Sequence, residues 1–179
     1  MEFSVKQILP DKDFVINGVS YAAALRPNTA LFITKKAEAL LCHLYEAENC
    51  LVFVEDGMVI PEDLQQRHGF SFSANPPLAY AQFTQMLAAN REEEERKLRY
   101  IFQNGSYISE TAVIGKDAHI EPGCLIGHGV VIGDGARILA GAVVKNAIIG
   151  DDVLINEKAV VGAFGFTTAT DEQGNKMRI

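Results

Sequence analysis

From residue 108 onward, branched aliphatics recur every six residues: Ile108, Ile114, Ile120, Ile126, Ile132, Ile138 and Val144. One residue is then skipped, and Ile149, Ile155 and Val161 resume the spacing. A second column, four residues after each aliphatic, is small or compact: Ala112, Ala118, Cys124, Val130, Ala136, Ala142, Val153, Ala159 and Gly165. A third column, three after each aliphatic, reads Asp117, Gly123, Gly129, Gly135, Gly141 and Asp152. Gly and Asp are residues that accept left-handed backbone angles at tight turns.

An even period suits strands and fits a 3.6-residue helix badly. The small residue and the aliphatic that follows it are two apart, so they share one side of a short strand. Each hexapeptide is then a strand and a turn, and three of them, 18 residues, make one triangular coil. Stacked coils pair through parallel backbone hydrogen bonds, fill the prism with aliphatics and seat the small column at the corners.

The first hundred residues carry a different pattern. Thr29 to Ile33 and Leu51 to Glu55 are apolar runs of strand length, the second ended by Asp56-Gly57. Phe70 to Ser73 alternates as a strand does. Lys35 to Glu48 has helical spacing, with Ala39, Leu40, His43, Leu44 and Ala47 on one side. Asn75-Pro76 starts a second helix, with Asn as cap and Pro in the first turn, which presents Leu78, Ala81, Gln82, Met86 and Leu87 on one face. The charged run Arg91 to Arg99 reads as a solvated helix or linker. The pattern predicts an α/β N-terminal domain over residues 1–100, a linker over 101–107 and a β-helix over 108–179. Thr167 to Lys176 reads as an extended polar loop.

Composition narrows the function classes. The chain is 48% hydrophobic and 22% charged, ordinary for a globular protein. The net charge is −7 and both halves are acidic, which argues against nucleic acid as a partner. No apolar run approaches the roughly 20 residues of a transmembrane segment, and the first residues do not read as a secretory signal. Cys42, Cys50 and Cys124 are scattered and read as free thiols, so the expected location is cytoplasmic.

The two halves together resemble the UDP-3-O-acylglucosamine N-acyltransferases of the lipid A pathway. The resemblance is carried, in order, by Gly18-Val19-Ser20, by Pro27-Asn28-Thr29-Ala30-Leu31-Phe32, and by Asn75-Pro76-Pro77-Leu78-Ala79-Tyr80-Ala81. It continues through Ile108-Ser109-Glu110-Thr111-Ala112-Val113-Ile114-Gly115 to Val161-Gly162-Ala163-Phe164-Gly165-Phe166. It implies a left-handed parallel β-helix, whereas the general rule for crossovers favours the right hand. It implies transfer of a hydroxyacyl chain to the 2-amino group of a UDP-linked, 3-O-acylated glucosamine. The acyl group would arrive on the phosphopantetheine of acyl carrier protein, with no bound cofactor or metal. It implies a homotrimer with active sites between neighbouring β-helices, a histidine as general base and backbone donors for the oxyanion.

For site residues, the resemblance implies substrate contacts at Phe32, Phe164, Gly165 and Phe166, although Phe32 also reads as a core residue and the later pair as packing over the last coil. After Phe32 the family's Asn-Pro-Lys-Tyr segment is replaced by Thr34-Lys35-Lys36-Ala37-Glu38. The family's catalytic histidine falls past Ile179, so no catalytic residue is identified, and the missing cap after residue 166 suggests a truncated form of a longer enzyme. Of the histidines, His43 falls on a helix, His68 in a loop, His119 points out of the solenoid and His128 sits in a turn. His119 and His128 lack the spacing of a three-histidine zinc site. The rival readings are a sugar acetyltransferase using acetyl-CoA, against which stands the lack of G-x-G-x-x-G in residues 1–100, and a non-catalytic trimeric scaffold.

Overall fold

The structure, a computed structural model, describes residues 2–163, 165 and 167–178. The chain divides into two compact units, Met1–Arg91 with Phe166–Ile179, and Glu92–Gly165.

The first unit is built on a four-stranded parallel sheet, Gly18–Val19, Thr29–Ile33, Leu51–Glu55 and Gly69–Ser73, paired in sequence order. Its central strands are apolar at nearly every position because both faces are covered. Leu31, Ile33, Val52 and Val54 enter one core with Leu41, Leu44 and Leu64. Ala30, Leu51 and Phe53 enter another with Phe3, Val5, Tyr80 and Phe83. A short antiparallel pair, Phe3–Ser4 with Val15–Ile16, adds to the second core.

The helices differ from expectation in detail. Lys35–Glu46 is 3-10 rather than α, with a kink at Ala37. Leu41, Leu44 and Ala47 are buried three residues apart, the 3-10 period, while Ala39 and Leu40 face solvent. Helix α1 (Glu62–Arg67) was not anticipated. Helix α2 (Pro76–Glu95) begins as expected, with Leu78 N–H donating to Asn75 Oδ1 at 3.2 Å. It buries Pro76, Tyr80, Ala81 and Phe83, while Gln82 and Met86 of the expected face are exposed. His68 lies, as expected, in the connection before Gly69, a one-residue bend between α1 and the Gly69–Ser73 strand, and its side chain is wholly buried. The expected loop at 167–176 is instead a hairpin, Thr168–Thr170 paired antiparallel with Lys176–Arg178. Its turn is closed by the Asp171 carboxylate, which accepts N–H bonds from Gln173 and Asn175.

The second unit is a left-handed parallel β-helix. Three sheets of short strands, mostly two residues each, make its faces. Tyr107, Leu125, Val143 and Val160 stack on the first, Val113, Val131 and Ile148 on the second, and His119, Arg137 and Leu154 on the third. Partners are 18 residues apart until the missing residue after Val144, beyond which Val131 pairs with Ile148 and Val143 with Val160. The aliphatic column fills the interior: Ile126, Ile138 and Val144 are fully buried, and Ile132 nearly so. All six residues of the Gly/Asp column have positive φ, joined by Lys158 at φ 58°. Residues 101–107, read from the sequence as a linker, lie in a hairpin in which Tyr100–Gln103 pairs with Ser106–Ser109 of the first coil.

Candidate functional site

Open parallel sheets bind ligands beyond the carboxyl ends of their strands at a switch in strand order; the first unit's strands run in sequence order, so its strand ends form a surface cleft without such a switch. The first unit has a cavity of about 420 Å3 there. Thr34, Lys35 and Lys36 follow the Thr29–Ile33 strand, Glu55 ends the next, and Ala74 and Asn75 follow the third, with Pro76 and Pro77 completing the wall. The Lys35 backbone N–H donates to Glu55 Oε2 at 3.0 Å, fixing the start of the lysine segment against the neighbouring strand end. The usual phosphate cradle of a helix N-terminus is closed off in α2. Pro76 and Pro77 carry no N–H, and that of Leu78 is taken by Asn75. Positive charge at this cavity comes from the exposed Lys35 and Lys36 side chains.

Phe32 is half-buried, and its ring stands 5.3 Å from that of Tyr80 on α2. Burial pushes the Tyr80 hydroxyl up to about 12, so it remains a neutral phenol. Phe32 thus has a core partner for its ring, and it does not line the strand-end cavity. Gly165 is exposed, with open space where a side chain would stand. Phe164 and Phe166 lie outside the described residues. A second, apolar cavity of about 330 Å3 opens between the N-terminal segment and α2, floored by Phe3, Phe53 and Phe83.

In the second unit, His128 belongs to a polar cluster that the sequence reading missed. Its Nδ1 shares a hydrogen bond with Ser109 Oγ at 2.6 Å, and the Tyr100 ring lies 4.6 Å away. Ser109 Oγ also accepts the Thr111 N–H, and Thr111 Oγ1 accepts the Gly129 N–H at 3.0 Å. Ser109 is 2% exposed, which keeps its hydroxyl from acting as a nucleophile on an outside substrate. The cluster ties the first coil to the second. The signal for it was the coil length itself, because Thr111 and Gly129 are one 18-residue coil apart. His119 points outward beside Arg137, as expected. Among the described residues no three His, Cys, Asp or Glu side chains converge as a metal site.

Comparison with known families bears on this second unit. The stretch 111–146 matches the family described as bacterial transferase hexapeptide (six repeats). The matched stretch begins at Thr111, one residue before the first corner alanine, and ends at Asn146, inside the turn where one residue is missing. Within that stretch Val113 with Val131, His119 with Arg137 and Leu125 with Val143 pair at the 18-residue spacing. No curated protein matches the chain. Among the described residues no helix is long and apolar enough to cross a membrane.

Proposed function

We propose that the chain is an acyltransferase polypeptide that binds a UDP-linked 3-O-acylglucosamine and transfers to its 2-amino group a hydroxyacyl chain delivered by acyl carrier protein. The observation that carries this reading is the aliphatic-filled hexapeptide solenoid, whose residues 111–146 match the bacterial transferase hexapeptide family. The strand-end cavity supports the acceptor half of the reading. A UDP diphosphate there would be held by the Lys35 and Lys36 ammonium groups, because α2 offers no free amide cradle. Phe32 would serve the uracil indirectly, by fixing the sheet end against Tyr80. Phe164, Gly165 and Phe166 would border the acyl chain.

Homotrimer formation is supported by two outward columns of the solenoid. Val113, Val131 and Ile148 form one, and Tyr107, Leu125, Val143 and Val160 the other, with Ile148 82% and Val160 63% exposed. Two different apolar faces on one subunit are what a closed, head-to-tail ring requires. In such a ring the acceptor amine must lose a proton to a base, and the oxyanion of the tetrahedral intermediate must find hydrogen-bond donors. Neither role is assigned to a described residue. The cytoplasm, where free thiols stay reduced, suits a chain whose three cysteines are unpaired.

The altered segment Thr34 to Glu38 favours a second reading, a trimeric scaffold without turnover. Incubation of the purified protein with hydroxyacyl carrier protein and UDP-3-O-acylglucosamine separates the two. The expected result is calorimetric binding of UDP; formation of the N-acylated sugar nucleotide, read by mass spectrometry, requires in addition a base that no described residue supplies. A trimer that neither binds UDP nor makes product, with hydroxyacyl or acetyl donors, overturns the enzyme reading in favour of the scaffold.

A further inference from the structure

Asn75 does three things at once. Its Oδ1 caps α2 through the Leu78 N–H, its side chain lines the strand-end cavity, and its Nδ2 donates to Thr170 O at 3.1 Å. Thr170 belongs to the Thr168–Thr170/Lys176–Arg178 hairpin, whose far end is met by Gln85 Nε2 donating to Arg178 O at 3.3 Å. That hairpin holds its own shape. Asp171 accepts from Gln173 N and Asn175 N with Oδ1 and from Asn175 Nδ2 with Oδ2, while Gly174 N donates to Asp171 O. Ala169 and Met177, opposite each other, form its covered side, and the threonines, Lys176 and Arg178 its exposed side. A preformed element is thus attached to the rim of the cavity through a residue of the cavity wall.

A carboxamide nitrogen carries two hydrogens. One is used by Thr170 O, and the other has no protein partner among the described residues. A ligand oxygen accepting the second hydrogen would fix the same planar group that holds the hairpin. Ligand and hairpin would then favour each other, since each narrows the orientations of Asn75 that the other needs.

We propose that the 168–178 hairpin is a strap on the strand-end cavity and that Asn75 is its latch, engaged more firmly when a nucleotide sugar occupies the cavity. The proposal rests on the reading that this cavity binds a UDP-sugar, and its test keeps the two apart. Trypsin cleavage after Lys176 reports the strap, and calorimetry with UDP-N-acetylglucosamine reports the ligand independently. In the unaltered protein, saturating UDP-N-acetylglucosamine should slow cleavage several-fold. Asn75→Asp keeps the cap acceptor but replaces the donor by a carboxylate oxygen facing Thr170 O. It should speed cleavage about fivefold without ligand, the factor expected from one lost hydrogen bond, and should abolish protection by ligand. Gln85→Ala should speed cleavage yet retain protection, because the latch is intact; circular dichroism checks that both variants fold. Ligand binding with no change in cleavage, or cleavage indifferent to Asn75→Asp, overturns the strap and leaves the nucleotide reading standing. No binding of UDP-N-acetylglucosamine removes the nucleotide reading and the coupling with it, and the ligand-free Asn75→Asp arm then decides alone whether Asn75 holds the strap.

Discussion

His68 gives the sharpest test of how the first unit is held together. Its ring is wholly buried, with Nδ1 accepting the Cys50 N–H at 3.2 Å and Nε2 donating to Leu44 O at 2.9 Å. One neutral tautomer therefore joins the end of the 3-10 helix to the start of the Leu51–Glu55 strand. Replacement by leucine roughly keeps the volume and removes both bonds. Leu44 O retains a long contact from Ala47 N at 3.5 Å, so the cost falls mainly on the orphaned Cys50 N–H. An unsatisfied buried group costs about 1–3 kcal/mol, so His68→Leu should lose about 2–3 kcal/mol at pH 8. Burial pushes the His68 pKa below its ordinary value, against the opposing pull of the Leu44 carbonyl. The charged ring would also turn a second donor toward the Cys50 N–H. The unfolded chain therefore takes up a proton at a higher pH than the folded one. Stability from His68 is complete above about pH 6.5 and is lost as pH falls from there through the folded pKa, with a slope of at most about 1.4 kcal/mol per pH unit. Urea unfolding followed by helical circular dichroism, which reports the first unit, should show the gap between the unaltered protein and His68→Leu shrinking from pH 8 to pH 5.5. A gap below about 1 kcal/mol at pH 8, or one that does not narrow with acid, refutes the reasoning.

Other predictions concern the solenoid. A Cβ at Gly133 would stand 2.5 Å from the Gly150 carbonyl carbon and 2.6 Å from Asp151 N, both backbone atoms of the next coil. Gly133→Ala should cost about 2–3 kcal/mol, read as a lower thermal midpoint, and a neutral result would mean that the coils are not this closely stacked. Lys158 holds φ 58° in the column otherwise given to Gly and Asp. Lys158→Gly relieves about 1 kcal/mol of left-handed strain but loosens the unfolded chain, so a net gain of about 0.5 kcal/mol is expected in urea, and any loss counts against it. Ile148→Lys places charge on the most exposed position of the second face and, if the proposed trimer forms through that face, should lower the sedimenting mass to that of a monomer without lowering helical content. An unchanged trimer would move the interface off that face.

The solenoid was legible to single residues because its determinants are local and repeated. The ten hexapeptides repeat an inward aliphatic and most add a left-handed residue at the turn, so many near-copies report the same constraint. The one-residue skip after Val144 reappears as the change in strand register between Val131 and Ile148. Lys158 escaped because propensity says only which residue is comfortable at φ above zero, not which is present there. The first unit was legible in its strands, where long apolar runs announce sheet buried on both sides. Its helices were less so, because a short stretch such as Leu41, Leu44 and Ala47 fits period 3 and period 3.6 almost equally well.

Sites are harder to read than folds because they depend on residues brought together from separate strand ends. Phe32 was singled out through the family resemblance and also read as a core residue, and its ring packs on Tyr80, some fifty residues away in sequence. The segment Thr34 to Glu38 was noticed only as a departure, and two of its lysines prove to line the cavity with Asn75 and Glu55. Asn75 itself was legible as a helix cap and nothing more. The cap uses its oxygen, and an oxygen acceptor is all that a sequence reading requires of that position. Serine, threonine or aspartate would meet the requirement equally well. What an asparagine adds is the amide nitrogen, and that is the atom that reaches the Thr168–Thr170 strand. The choice of asparagine over the other good caps is thus explained by a contact ninety-five residues away, which no local pattern encodes.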